Sequence, residues 1–133
     1  MKDKGCGQIR VVAAIIRKEN KYLIARRAPS KHLAGFWEFP GGKIEDGETI
    51  EECLIREIKE ELNITIRVNS FFMENEHIYP SKNIMLIAFF CEWAEGTISL
   101  KDHDRYEWAV KSQLINYKFA PADIPFVEVL QNS

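Results

Sequence analysis

A chain of 133 residues fits a single domain, 1–133, large enough to bury about two thirds of its unfolded surface without help from disulfides or a structural metal. The near balance of 18 basic and 20 acidic residues, formal charge −2, excludes the electrostatic footprint of a nucleic-acid polymer binder but not a small phosphate ester, whose charge a bound cation offsets locally. Cys6, Cys53 and Cys91 are odd in number and form no CxxC pair, and the longest apolar run, Ile84 to Cys91, is too short to span a bilayer, so neither a disulfide framework, a zinc site nor a membrane span is expected.

Charges at the start of the chain, in place of a hydrophobic signal core, add the expectation of a cytoplasmic protein. Ile9 to Ile16 is an apolar, β-branched run that predicts a first strand, Lys18-Glu19-Asn20-Lys21 a turn, and Tyr22 to Arg27 the strand's hairpin partner. Arg26 and Arg27 are neighbours in that strand and so point to opposite faces. Pro29-Ser30 opens a loop, and Gly35, Pro40, Gly41 and Gly42 punctuate a short aromatic strand, Phe36 to Phe39, whose end leads into a flexible turn.

Thr49 with Glu52 three residues on matches a capping box and starts a helix at about Ile50, with Leu54, Ile55, Ile58 and Leu62 as its core face. Ile64 to Val68, Phe71 to Ile78 and Ile84 to Trp93 read as strands, the last two an antiparallel hairpin turned at Pro80-Ser81-Lys82-Asn83. Glu95-Gly96 marks a turn and Tyr106 to Val110 a short strand. Ser112 is the expected cap of a short helix and Asp123 of a terminal one. The order suggests a mixed sheet flanked by helices.

The chemistry concentrates on the first helix. At roughly 100° per residue, Glu60 and Glu61 lie about 60° and 40° to either side of Glu57, so three carboxylates leave one face. Like charges at that spacing repel, and a hard divalent cation with oxygen ligands turns the repulsion into a binding site. In full the pattern is Gly42, five residues, Glu48, seven residues, Arg56-Glu57, apolar Ile58, one residue, Glu60-Glu61, one residue, then Asn63 and Ile64.

This stretch, 42–64, resembles a Nudix box. The family's glycine is replaced by Asn63, the next most tolerant residue for a left-handed helix end. GFWEFPGGKIE before the box and FAPADIP near the chain's end extend the resemblance to the MutT branch, and most of all to its small cytidine-triphosphate pyrophosphohydrolases. The resemblance implies an α/β (α+β) Nudix fold, a mixed sheet in an α/β/α sandwich. It implies magnesium, with manganese as a substitute, held by Glu57, Glu60 and Glu61 with the Gly41 carbonyl, and an acidic residue from a downstream loop, Asp102 with Asp104 as its near rival.

Arg56 is placed to orient Glu57 or to pair with Glu48, against the plainer reading of a helical salt bridge to Glu52 or Glu60. Glu57, Glu60 and Asp102 remain alternatives as the base that deprotonates water. Arg27, rather than Arg26, and His32 align with substrate contacts of the branch, and Phe39 is the aromatic expected to stack on a base. Asp123 aligns with the residue that reads the base edge; an ionised Asp only accepts hydrogen bonds, which suits the exocyclic amine of cytosine or adenine. The expected activity is hydrolysis of a nucleoside triphosphate to monophosphate and pyrophosphate, with CTP, dCTP or a 5-modified dCTP preferred. The alternatives are cleaning of 8-oxo-dGTP or 2-hydroxy-dATP from the nucleotide pool, and a non-catalytic nucleotide-binding module.

Overall fold

The computed structural model describes residues 8–133, so Cys6 lies outside the described residues. Strand β1 (Gln8–Lys18) and β2 (Lys21–Arg27) form the expected hairpin. Glu19 and Asn20 take φ of 51° and 68°, the left-handed pair of a two-residue turn that matches strand twist. There follow β3 (Trp37–Glu38), β4 (Gly41–Lys43), α1 (Ile50–Leu62), β5 (Ile64–Tyr79), β6 (Lys82–Gly96), β7 (His103–Val110), two short 3-10 turns, Lys111–Asn116 and Pro121–Asp123, and α2 (Ile124–Gln131).

β1 is the centre of the molecule. It pairs parallel with β6, from Gln8 opposite Asn83 to Ile16 opposite Cys91, and antiparallel with β2 and β4, while β7 and β3 flank β2 and β5 closes the far side. Its residues Val12 to Ile16 are all buried because both faces are covered. Val12, Ala14 and Ile16 pack with Leu54, Ile58 and Leu62 of α1, and Ala13 and Ile15 pack with Phe126, Val127 and Leu130 of α2. The mixed sheet between helices is the expected architecture. Among the described residues no helix is long and apolar enough to cross a membrane.

Helix α1 has both halves of its capping box: Thr49 Oγ1 accepts from the Glu52 N–H at 3.1 Å, and Glu52 accepts from the Thr49 N–H at 2.9 Å. Asn63 closes it in the left-handed conformation, φ 63° and ψ 26°. Ile55 departs from the expected core face and is 36% exposed, at the rim of the apolar arc, while Cys53 is buried beneath the Gly42-Lys43 segment, 3.4 Å from the Lys43 carbonyl.

Other expectations are corrected as well. The turn expected at Gly41-Gly42 is part of a strand on β1, and Gly41 is what lets it lie so close: a Cβ there would collide with the Val12 backbone. Ile64 to Ile78 is one strand, with register shifts near Val68 and Phe71 that absorb the polar Asn69-Ser70. β6 continues through Glu95-Gly96, where a turn was expected, and β7 starts at His103, ahead of Tyr106. Neither Ser112 nor Asp123 caps a helix through its side chain.

Candidate active site

Glu57 rests on Gly42. A Cβ at residue 42 would fall inside the Glu57 carboxylate, so the helix and β4 pack closely only because that side chain is missing. Arg56 organises the rest of the box. Its Nε and Nη2 form a fork on Glu48 at 2.6 and 3.0 Å, Nη1 donates to Glu57 at 3.0 Å and Glu60 at 3.2 Å, and Nη2 reaches the Lys43 carbonyl at 3.2 Å. The two readings of Arg56 thus coexist, while Glu52 is committed to the cap. The Arg56 fork holds the Glu48 carboxyl down at about 2.

Burial pushes the Glu57 carboxyl up, opposed by Arg56. The neighbouring Glu61 goes further, to about 9, driven first by burial and then by the negative charges of Glu38, Glu57 and Asp102. Glu61 Oε1 is buried with no hydrogen-bond partner among the described residues. An orphaned acceptor among like charges is the arrangement a cation relieves, and oxygen donors are what magnesium takes, so the residues present fit a divalent ion. Among the described residues no three acidic, His or Cys side chains converge on one point; Glu57 and Glu60 both turn toward Arg56.

A second feature adjoins the box. A cavity of about 190 Å³ is lined by, among others, Arg27, His32, Glu38, Tyr79, Leu86 and Asp123. A wider hollow of about 550 Å³ around Arg17, Lys18 and Trp93 shares no residue with this cavity or with the box. Arg26 and Arg27 take opposite faces of β2: Arg26 pairs with Asp104 at 2.8 and 3.1 Å, and Arg27 faces the cavity. Asp104 is thereby occupied away from the site. Asp102 lies on the box side, near enough to raise Glu61, and pairs with Lys31 at 3.2 Å.

Asp123 is 5% exposed, and its Oδ2 accepts from the Phe39 N–H at 3.0 Å. Burial and the charge of Glu38 push its carboxyl well above the usual carboxylate range. Asn75 of β5 donates to the Ala122 carbonyl at 3.0 Å and so ties the segment carrying Asp123 to the sheet. The Phe39 ring does not stand where stacking on a base was expected. It is 3% exposed in the core and stacked on Phe119 at 5.3 Å, and only its backbone reaches the site.

Two residues escaped sequence reasoning. Glu38 accepts from Arg27 Nη1 at 3.1 and 3.3 Å and lies 2.8 Å from His103 Nε2. The available signal was a lone carboxylate inside the aromatic strand 36–39; nothing in sequence pointed to His103, which sits between two acids in an apparent loop.

The NUDIX domain family profile matches residues 11–129. Among curated proteins, the CTP pyrophosphohydrolase of Escherichia coli K12 is 37% identical over 120 residues, 90% of this chain and 89% of that protein. The 8-oxo-dGTP diphosphatase of the same organism is 38% identical over 125 residues, covering 93% and 97%. Among solved structures, that of the E. coli ORF135 protein superposes with a TM-score of 0.83 at 34% identity, covering 98% of this chain and 94% of that one. The MutT protein from Methanosarcina mazei Go1 gives 0.84 at 26%, covering 94% of each. With the box, the layered fold and the profile in agreement, the chain belongs to the NUDIX domain family.

Proposed function

We propose that this chain hydrolyses nucleoside triphosphates to the monophosphate and pyrophosphate, by attack of water on phosphorus, and that it prefers CTP, dCTP or a 5-modified dCTP. One observation carries the reading: the buried Glu61 oxygen, without a partner among the described residues, beside a Glu57 seated on Gly42 and close to a cavity with the carboxyl groups of Glu38 and Asp123 in its wall. Glu57, Glu60, Glu61 and Asp102, with the Gly41 carbonyl, would hold magnesium, or manganese in its place. A bound divalent cation supplies charge to offset that on the phosphoryl oxygens.

The chain's own residues do the remaining work. Arg56 holds Glu57 against Gly42. Glu57, Glu60 or Asp102 takes the proton of the attacking water. Arg27 and His32 face the cavity, where a guanidinium suits a phosphate oxygen. Asp123 meets the base. With Oδ2 engaged by the Phe39 N–H, Oδ1 is left to a ligand; ionised, it accepts from the cytosine amine, and protonated, it donates to the ring acceptor beside that amine. Cytosine suits both forms, and the E. coli relative named for CTP supports the choice.

The raised proton affinity of Asp123 also favours a second reading, 8-oxo-dGTP, since a protonated carboxyl donates to guanine O6, and the other E. coli relative carries that name. A non-catalytic module does not fit a box with every carboxylate in place. The test is pyrophosphate and monophosphate release with magnesium across the normal nucleotides, 5-methyl-dCTP, 8-oxo-dGTP and 2-hydroxy-dATP. Fastest turnover of the cytosine substrates is expected; preference for oxidised purines selects the second reading, and no turnover of any substrate overturns both.

A further inference from the structure

Arg27 meets the cavity with two of its three guanidinium nitrogens committed. Nε donates to the His32 carbonyl and Nη1 to the two oxygens of Glu38. Nη2 is what remains for a ligand. Glu38 is fixed in turn by His103, and strand register makes the chain of contacts possible. β2 runs between β3 and β7, with Ala25 opposite Glu38 on one side and Arg27 opposite His103 on the other.

The cost of this arrangement is visible at His103. Its side chain is 1% exposed and, among the described residues, its Nδ1 has no partner and its ring's only hydrogen bond is the one to Glu38. An acceptor-only carboxylate requires a proton on Nε2, and Nδ1 is left unpaired whether or not it carries one as well. An apolar side chain would fill the same space without burying a polar atom, so the ring's contribution is orientation. With Oε2 shared between Arg27 Nη1 and the His103 N–H, the Glu38 carboxylate cannot rotate without breaking one or the other.

We propose that Glu38 and His103 are positioning residues for substrate: together they hold the Arg27 guanidinium so that Nη2 faces the triphosphate, and they set nucleotide affinity through Arg27, Glu38 from the cavity wall and His103 from behind it. The proposal rests on the reading that Arg27 binds a nucleoside triphosphate. Glu38's own charge acts the other way, repelling phosphate, so a test that removes that charge would mix two opposed effects. Variants that keep the charge separate them.

His103→Leu removes the donor at similar bulk, His103→Gln retains an N–H near the Nε2 position, and Glu38→Asp keeps the charge but withdraws the carboxylate by one methylene. Affinity for the α,β-methylene analogue of CTP is measured by calorimetry, KM and kcat for CTP by pyrophosphate release, and folding by thermal denaturation, each also in an Arg27→Ala background. His103→Leu and Glu38→Asp are expected to weaken analogue binding and raise KM about tenfold, the equivalent of one charge-assisted hydrogen bond, with kcat within about threefold of wild type. His103→Gln should restore most of the loss, and none of the three should weaken binding further once Arg27 is Ala.

Glu38→Asp decides the matter if His103→Leu does not fold. Equal losses with and without Arg27, or unchanged affinity in the charge-retaining variants, overturn the positioning role while leaving the activity standing. A wild-type protein that neither binds the analogue nor cleaves any triphosphate removes the activity and the role together.

Discussion

Glu57 reaches its place because residue 42 has no side chain, and that gives the sharpest single-residue prediction. Gly42→Ala puts a methyl group where the carboxylate lies, forcing Glu57 aside by about 1 Å, a displacement that costs on the order of a hundredfold in rate at a catalytic centre. Circular dichroism should show the fold retained while kcat collapses; a fully active variant would mean that Glu57 is not needed where it stands. Asp123 gives the second prediction. Its raised carboxyl takes up a proton on folding, so its contribution to stability is full below the unfolded value near 3.8 and is lost as pH rises through the folded value. Asp123→Asn keeps an acceptor for the Phe39 N–H and does not titrate, so its stability relative to wild type should grow from pH 4 upward in denaturant titrations. The same variant should shift turnover from cytosine toward bases carrying O6, and identical relative rates across bases would sink its recognition role. That Asp123 stands at the cavity was legible from FAPADIP. That it turns inward was not, because Asp before Ile-Pro reads equally well as a cap, and only the folded chain brings the Phe39 N–H to it.

At the scale of elements, legibility follows the range of the interactions. Helix α1 was readable to within a residue because its determinants are local: Thr49 and Glu52 satisfy each other across one turn, and Asn63 adopts the left-handed end in place of glycine. Replacing Asn63 with Ala should therefore cost about 1 kcal/mol, the price of a left-handed residue with a Cβ, while Asn63→Gly should match wild type or exceed it. Thermal denaturation of the two variants checks this, and equal melting temperatures would place the helix stop in the following Ile64 rather than in residue 63. β4 was illegible because Gly41 and Gly42 have weak strand preference and owe their conformation to β1 and Glu57. β5 was read as two strands because its register shifts place polar residues where alternation alone implies a break. The Arg27–Glu38–His103 array was invisible for the same reason, as it exists only where three strands lie side by side.

Across the whole molecule, the helix-sheet-helix layering was legible from element order, whereas the parallel pairing of β1 with β6 was not, since its partners are remote in sequence. That pairing is what makes β1 a two-faced core strand and leaves the edge between α1 and β4 to carry charge. The net charge is only −2, yet burial first, and then the nearby charges of Glu38, Glu57 and Asp102, raise Glu61 to about 9. In the absence of a cation this gathering opposes folding at neutral pH, because Glu61 is protonated in the fold and ionised in the unfolded chain. A divalent ion bound only by the folded form reverses the balance, adding about 2.7 kcal/mol at a hundred times its dissociation constant. Magnesium should thus raise the melting temperature of the wild-type protein in a saturable way, with no nucleotide present. Glu61→Gln should melt at or above wild type without magnesium and gain less from it, since the amide needs no proton and offers a poorer ligand. A magnesium-dependent rise of equal size in that variant would remove Glu61 from the metal site, and no rise in either protein would leave the cluster's charge to be offset by some other partner.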